Sequence, residues 1–188
     1  MTKTKTSISY PLRIDSVVAP GGGLIGMTLC PGKKQNGALS GDWDRDLGLD
    51  LDTVRDWGAV AVVTLMEANE LERYQVSDIG NSVSQRHMTW HHLRIIDANV
   101  PDERFEQAWT AVGPELCANL ADGRNVLLHC LGGLGRTGTI AARLMIELGI
   151  PTEQAIVLIR KARPGAIETA AQEAYARCVL PIGASIPT

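Results

Sequence analysis

Residues 59–66, AVAVVTLM, are apolar at nearly every position and rich in β-branched side chains. A strand with one face in water alternates apolar and polar residues, so a strand without alternation is covered on both faces. NVLLHC at 125–130 has the same look. Around these runs lie segments of helical spacing. LDLDTVRDWGA (49–59) places Leu51, Val54 and Trp57 on one side, and PDERFEQAWTAVGPELCANLADG (101–123) places Phe105, Trp109, Val112, Leu116 and Leu120 on one side. The Gly113-Pro114 pair predicts a kink or a restart in that second helix. Helices are also predicted at 137–149, 152–165 and 168–180, with two short ones in 67–88. Further strands are predicted at 14–20, 23–32 and 89–96. Strands separated by helices give an α/β fold with a central, mostly parallel sheet flanked by helices.

The 188 residues suit one domain, expected at 13–184 behind a flexible N-terminus at 1–12. A net charge of −3 offers no broad basic face, so nucleic acid is not an expected partner. MTKTKTSISY lacks an apolar core, which argues against a signal peptide, and no span reaches membrane length. A cytoplasmic protein without a membrane partner is expected. Cys30, Cys117, Cys130 and Cys178 form no CxxC pair, so neither a disulfide framework nor a zinc site is expected. His91 and His92 are adjacent on a strand and point to opposite faces, a poor ligand pair. No metal and no cofactor are expected. Trp43, Trp57, Trp90 and Trp109 read as core or rim.

The chemistry concentrates at residues 129–138, HCLGGLGRTG. A strand ends at Cys130, and Arg136 opens a helix. In open α/β sheets ligands bind beyond the carboxyl ends of the strands, where Cys130 sits. Leu131, Gly132, Gly133, Leu134 and Gly135 form a loop whose glycines allow unusual backbone angles and close approach. Such a loop aims backbone N–H groups at one point, and the helix adds its positive end. The Arg136 guanidinium matches two phosphate oxygens. The same field favours a thiolate at Cys130, placed for in-line attack on phosphorus. The Thr137 hydroxyl is a candidate donor to the sulfur as it leaves. His129 is expected to brace the loop by ring-to-backbone hydrogen bonds.

HCLGGLGRTG resembles the HCxxGxxR[ST]G signature of cysteine-dependent protein tyrosine and dual-specificity phosphatases. CPGKKQ, DWDRDLGLDLDTVRDWGAVAVVTLMEANEL, HHLRIIDANVPD and AIETAAQEAY resemble the kinase-associated phosphatase subgroup, also called cyclin-dependent kinase inhibitor 3-like. The resemblance covers most of residues 25–180. It implies the three-layer sandwich of the tyrosine phosphatases and a phosphocysteine intermediate.

It also implies a general acid on a loop after a strand. Asp97 matches that position, with Asp102 as competitor. Asp102 follows Pro101 and suits a helix start, so Asp97 is favoured. Arg94 stands where the family pattern often has proline. Gln172 resembles a water-orienting glutamine, against the plainer reading of an exposed helical residue. Glu67 and Glu70 resemble an acidic segment flanking the pocket, for substrate contact or for support.

The loop carries no lysine, which tilts the substrate toward a phosphorylated protein, with phosphotyrosine and phosphoserine/threonine both open. A kinase partner is a further expectation. The alternatives are a catalytically weak phosphoprotein-binding module, a phosphoinositide phosphatase, or a sulfur transferase of the rhodanese type. Cys30 is a candidate redox partner of Cys130 if the two lie close.

Overall fold

A computed structural model describes residues 4–181. The unalternating runs become its two central strands. In chain order the elements are β1 (Asp15–Val18), β2 (Leu24–Thr28), β3 (Lys34–Gln35), β4 (Trp43–Asp44), α1 (Leu47–Asp56), β5 (Ala59–Thr64), α2 (Ala68–Arg73) and α3 (Ile79–Ser84). Then follow β6 (Thr89–His92), α4 (Glu103–Ala121), β7 (Asn125–His129), α5 (Gly135–Glu147), α6 (Thr152–Ala162) and α7 (Ala170–Cys178).

The main sheet runs β1-β2-β7-β5-β6, with β1 antiparallel to β2 and every other pairing parallel. Ala61, Val62 and Val63 on β5 and Val126, Leu127 and Leu128 on β7 are all fully buried. Consecutive strand residues point to opposite faces, so both faces are covered. Helices α1 and α3 pack together against β5 and β6, while α4, α5 and α6 pack against β7, β2 and β1.

Two expectations need correction. The predicted strand at 89–96 ends at His92. Beyond it Leu93 and Ile95 donate to the carbonyls of Thr64 and Leu65, which carries the chain across the carboxyl end of β5. The predicted break at Gly113-Pro114 is absent, and α4 runs unbroken through Pro114. Proline frees the carbonyl four residues earlier, that of Thr110, and both residues lie on the exposed side, open to solvent. Gly113 is needed for packing, since a Cβ there would stand 2.4 Å from Nε1 of Trp109. The small β3–β4 sheet carries no sequence signal that distinguishes it from loop.

Within the stretch expected to be flexible, Lys5 exchanges backbone bonds with Asp42 and Asp44, and its ammonium lies over the rings of Tyr10 and Trp43. The expected domain limit at 184 lies outside the described residues. Beneath this N-terminal segment Arg45 and Asp50 form a two-bond ion pair at 2.7 Å, with side chains 0% and 1% exposed. Arg45 also donates to the Tyr10 carbonyl, and Asp50 accepts from the Gly32 amide.

Candidate active site

The loop 130–135 leaves the carboxyl end of β7 and enters α5 at Gly135. Its carbonyls from Leu131 to Leu134 are held from outside. That of Leu131 accepts from the Cys30 amide and, at 3.5 Å, from Nζ of Lys33. Those of Gly132 and Gly133 accept from the Arg163 guanidinium, and that of Leu134 accepts from the amides of Gly138 and Ile167. Across a trans peptide the C=O and the following N–H point in opposite directions. Turning four carbonyls outward therefore turns the next four amides the other way. One of them, the Gly133 N–H, donates to Sγ of Cys130 at 3.2 Å. Gly133 has φ +71°, and a Cβ there would meet the Thr28 carbonyl oxygen at 2.2 Å, so glycine is required both for conformation and for space. Cys130 is buried at the base of this cup.

Arg163 escaped the sequence reading, because an arginine after a helix near a Pro-Gly turn has no distinguishing signal. Its remaining nitrogen pairs with Asp15 on β1 at 2.7 Å.

Arg136 opens α5 and is 2% exposed. Glu70 holds it with two bonds, Nη1 to Oε2 at 2.6 Å and Nη2 to Oε1 at 2.9 Å. Nη1 also donates to the Ile95 carbonyl, and Nη2 lies 2.8 Å from Oδ1 of Asp97. Burial opposes the guanidinium charge, but Glu70, Cys130 and Asp97 oppose its loss more strongly, and its pKa is raised. Glu70 is itself fixed, accepting from the Glu67 amide in the capping box of α2.

The structure separates the two aspartates. Asp102 caps α4 by accepting from the Phe105 amide at 2.9 Å. Asp97 stands on the loop between β6 and α4, against Arg136, with its side chain 70% exposed. Ala98 beside it has φ +59°, a conformation that costs a non-glycine residue about 1–2 kcal/mol.

Gln172 is fully buried, which overturns the exposed alternative. Its Oε1 accepts from the amides of Glu168 and Thr169, and its Nε2 donates to the Asn99 carbonyl. It thus ties α7 to the loop that carries Asp97. Nδ1 of His129 has no hydrogen-bond partner in close geometry among the described residues, although the adjoining Cys130 backbone favours its proton. Its Nε2 pairs with Oγ1 of Thr64, which accepts from the Trp90 indole, so one chain of side-chain bonds crosses β6, β5 and β7. Burial lowers the pKa of His129 to about 3, and the ring is neutral. The Thr137 hydroxyl is buried and has no hydrogen-bond partner among the described residues, Sγ included. His91 lies near Glu115 and His92 bonds the Met66 carbonyl, so the two rings face different surroundings.

The chain matches the family model described as "Cyclin-dependent kinase inhibitor 3" over residues 6–156. It is 32% identical to cyclin-dependent kinase inhibitor 3 of Rattus norvegicus over 154 residues, covering 80% of this chain and 69% of the relative. The fold superposes on a crystal structure of kinase-associated phosphatase with its catalytic-site cysteine replaced by serine, at a TM-score of 0.77 and 28% identity, covering 88% and 92% of the two chains. It also superposes on Tk-PTP in its active form, at a TM-score of 0.62 and 25% identity, covering 81% and 88%. The chain belongs to the cyclin-dependent kinase inhibitor 3 family and is a cysteine-dependent phosphatase of the tyrosine/dual-specificity class.

Proposed function

We propose that this family member removes phosphate from phosphoproteins in two steps on Cys130, with Asp97 as the acid and then the base. In the first step the thiolate attacks phosphorus, an S–P bond forms, and the P–O bond to the substrate side chain breaks. The Asp97 carboxyl gives its proton to the departing oxygen. In the second step water gives a proton to the Asp97 carboxylate and attacks phosphorus. The S–P bond then breaks and phosphate leaves.

The observation that carries this reading is the outward-turned loop with the Gly133 N–H on Sγ. The amides at 132–135 hold the phosphate oxygens, as charge-developing oxygens require. Arg136 is held by Glu70 on one side, so a phosphate oxygen takes the exposed place that Asp97 occupies at Nη2. That exchange frees the Asp97 carboxyl to face the leaving group. Thr137 donates to the departing sulfur after its hydroxyl turns, since it has no competing partner. Gln172 acts on the acid loop through Asn99 and so positions Asp97. A phosphorylated kinase is the proposed protein substrate, on the strength of the relatives' names.

Hydrolysis of para-nitrophenyl phosphate tests the scheme. Cys130→Ser abolishes turnover. Asp97→Ala costs roughly 10²–10³-fold and removes the basic limb of the pH–rate profile. Retained turnover in the serine variant, or an intact basic limb in the alanine variant, overturns the corresponding role. Rates on phosphotyrosine and phosphothreonine peptides of otherwise identical sequence decide substrate preference.

A further inference from the structure

The loop sequence lacks lysine, yet the fold brings one to it. Lys33 follows β2, and its backbone is fixed on both sides. Its N–H donates to the Cys30 carbonyl, its C=O accepts from the Arg45 amide, and Gly32 before it is bound by Asp50. The whole residue is 5% exposed. Its ammonium has three N–H donors and one protein acceptor, the Leu131 carbonyl at 3.5 Å. The ring of Trp43 lies 4.5 Å from Nζ. Among the described residues no carboxylate stands within ion-pair distance. The neighbouring Arg45, equally buried, has Asp50 to itself.

A buried cation without an anion is unfavourable unless one arrives. The charged and titratable groups facing Lys33 are Cys30, Cys130, Arg45 and, farther round, Lys5. Arg45 is spent on Asp50, and Lys5 is a like charge. Cys30 is held neutral, because burial drives its thiol strongly upward. That leaves Cys130, one residue from the carbonyl Lys33 touches, and the phosphate above it.

We propose that Lys33 is a second cation of the catalytic site, a positioning residue that, from behind the loop, favours the Cys130 thiolate and the phosphoryl group it receives. This rests on Cys130 being the nucleophile. Two consequences follow from the geometry. Lys33 acts on the sulfur through the Leu131 peptide and through space, without touching substrate. It also gives the site a charge that disappears at mildly alkaline pH, since burial lowers its pKa to about 8.

The test is the pH midpoint for alkylation of Cys130 by iodoacetamide, a neutral reagent, with the adduct located by mass spectrometry. Lys33→Met is expected to move the midpoint up by about one pH unit and to slow alkylation at pH 6 about tenfold. Lys33→Arg, which keeps the charge, is expected to stay within about 0.3 units of the wild type. An unshifted midpoint in Lys33→Met overturns the proposal, and so does an equal shift in Lys33→Arg, which would mark a packing role. Should Lys33→Met fail to fold, the wild-type protein with 13C-labelled lysine decides by NMR. Vanadate binding is expected to raise the Lys33 titration midpoint, and an unmoved midpoint overturns the proposal. Turnover by Cys130→Ser would instead indict the nucleophile, a failure separable from an inert Lys33.

Discussion

The molecule contains two buried arginines, each gripped by a carboxylate through two hydrogen bonds, and they serve opposite ends. Arg45 and Asp50 are both sealed, and their remaining atoms go to the Tyr10 carbonyl and the Gly32 amide. Nothing there can be exchanged without unfolding. Arg136 is as buried and has Glu70 in the same two-bond grip, but its second partner, Asp97, is largely in water. A sealed pair fixes chain segments. A pair with one exposed partner presents a cation that an incoming anion can take over. The lesson is that burial of the arginine does not separate structure from chemistry, whereas exposure of its partner does.

The largest expected effect lies at the open pair. Arg136→Lys keeps the charge but loses the planar fork, and kcat/KM should fall by roughly 10³-fold or more, with the melting temperature nearly unchanged. A large loss of stability instead would place Arg136 with Arg45. At the sealed pair, Asp50→Ala leaves a buried guanidinium without its anion and should cost about 3–5 kcal/mol in denaturant unfolding. The fraction that stays folded should keep most of its turnover, the remaining loss coming from Gly32 beside Lys33, which Asp50 holds. Lost turnover at unchanged stability would draw Asp50 into the chemistry.

The smallest effect concerns His129, which is buried beside the site and uncharged. Its folded pKa lies near 3, below its ordinary 6.5. Between those values the unfolded chain binds more protons, so stability falls as pH drops through that window. From pH 6.5 to 5 the loss from this residue is about 2 kcal/mol. His129→Gln should flatten that slope in urea titrations. An unchanged slope would assign the acid sensitivity to the carboxylates.

The sheet and the phosphate loop were legible because each depends on a local pattern. Unalternating strands announce burial on both faces, and HCLGGLGRTG confines strand, turn and helix to ten residues. Asp102 takes the capping place that a residue after Pro101 at a helix start has by local rule. What stayed hidden is set by contacts between distant segments. Lys33 to Leu131, Arg163 to Gly132, Gln172 to Asn99 and Thr64 to His129 join residues that no periodicity connects. Gln172 shows the limit well, because helical spacing gave its neighbours but not the loop that buries it.

Arg163 grips the backbone of the phosphate loop from beyond the next helix and anchors on β1. During synthesis the signature motif is therefore complete well before the side chain that shapes it exists. A nascent chain stopped between those points carries Asp97, Cys130, Arg136 and Thr137 without the side chain that holds the carbonyls of Gly132 and Gly133 outward.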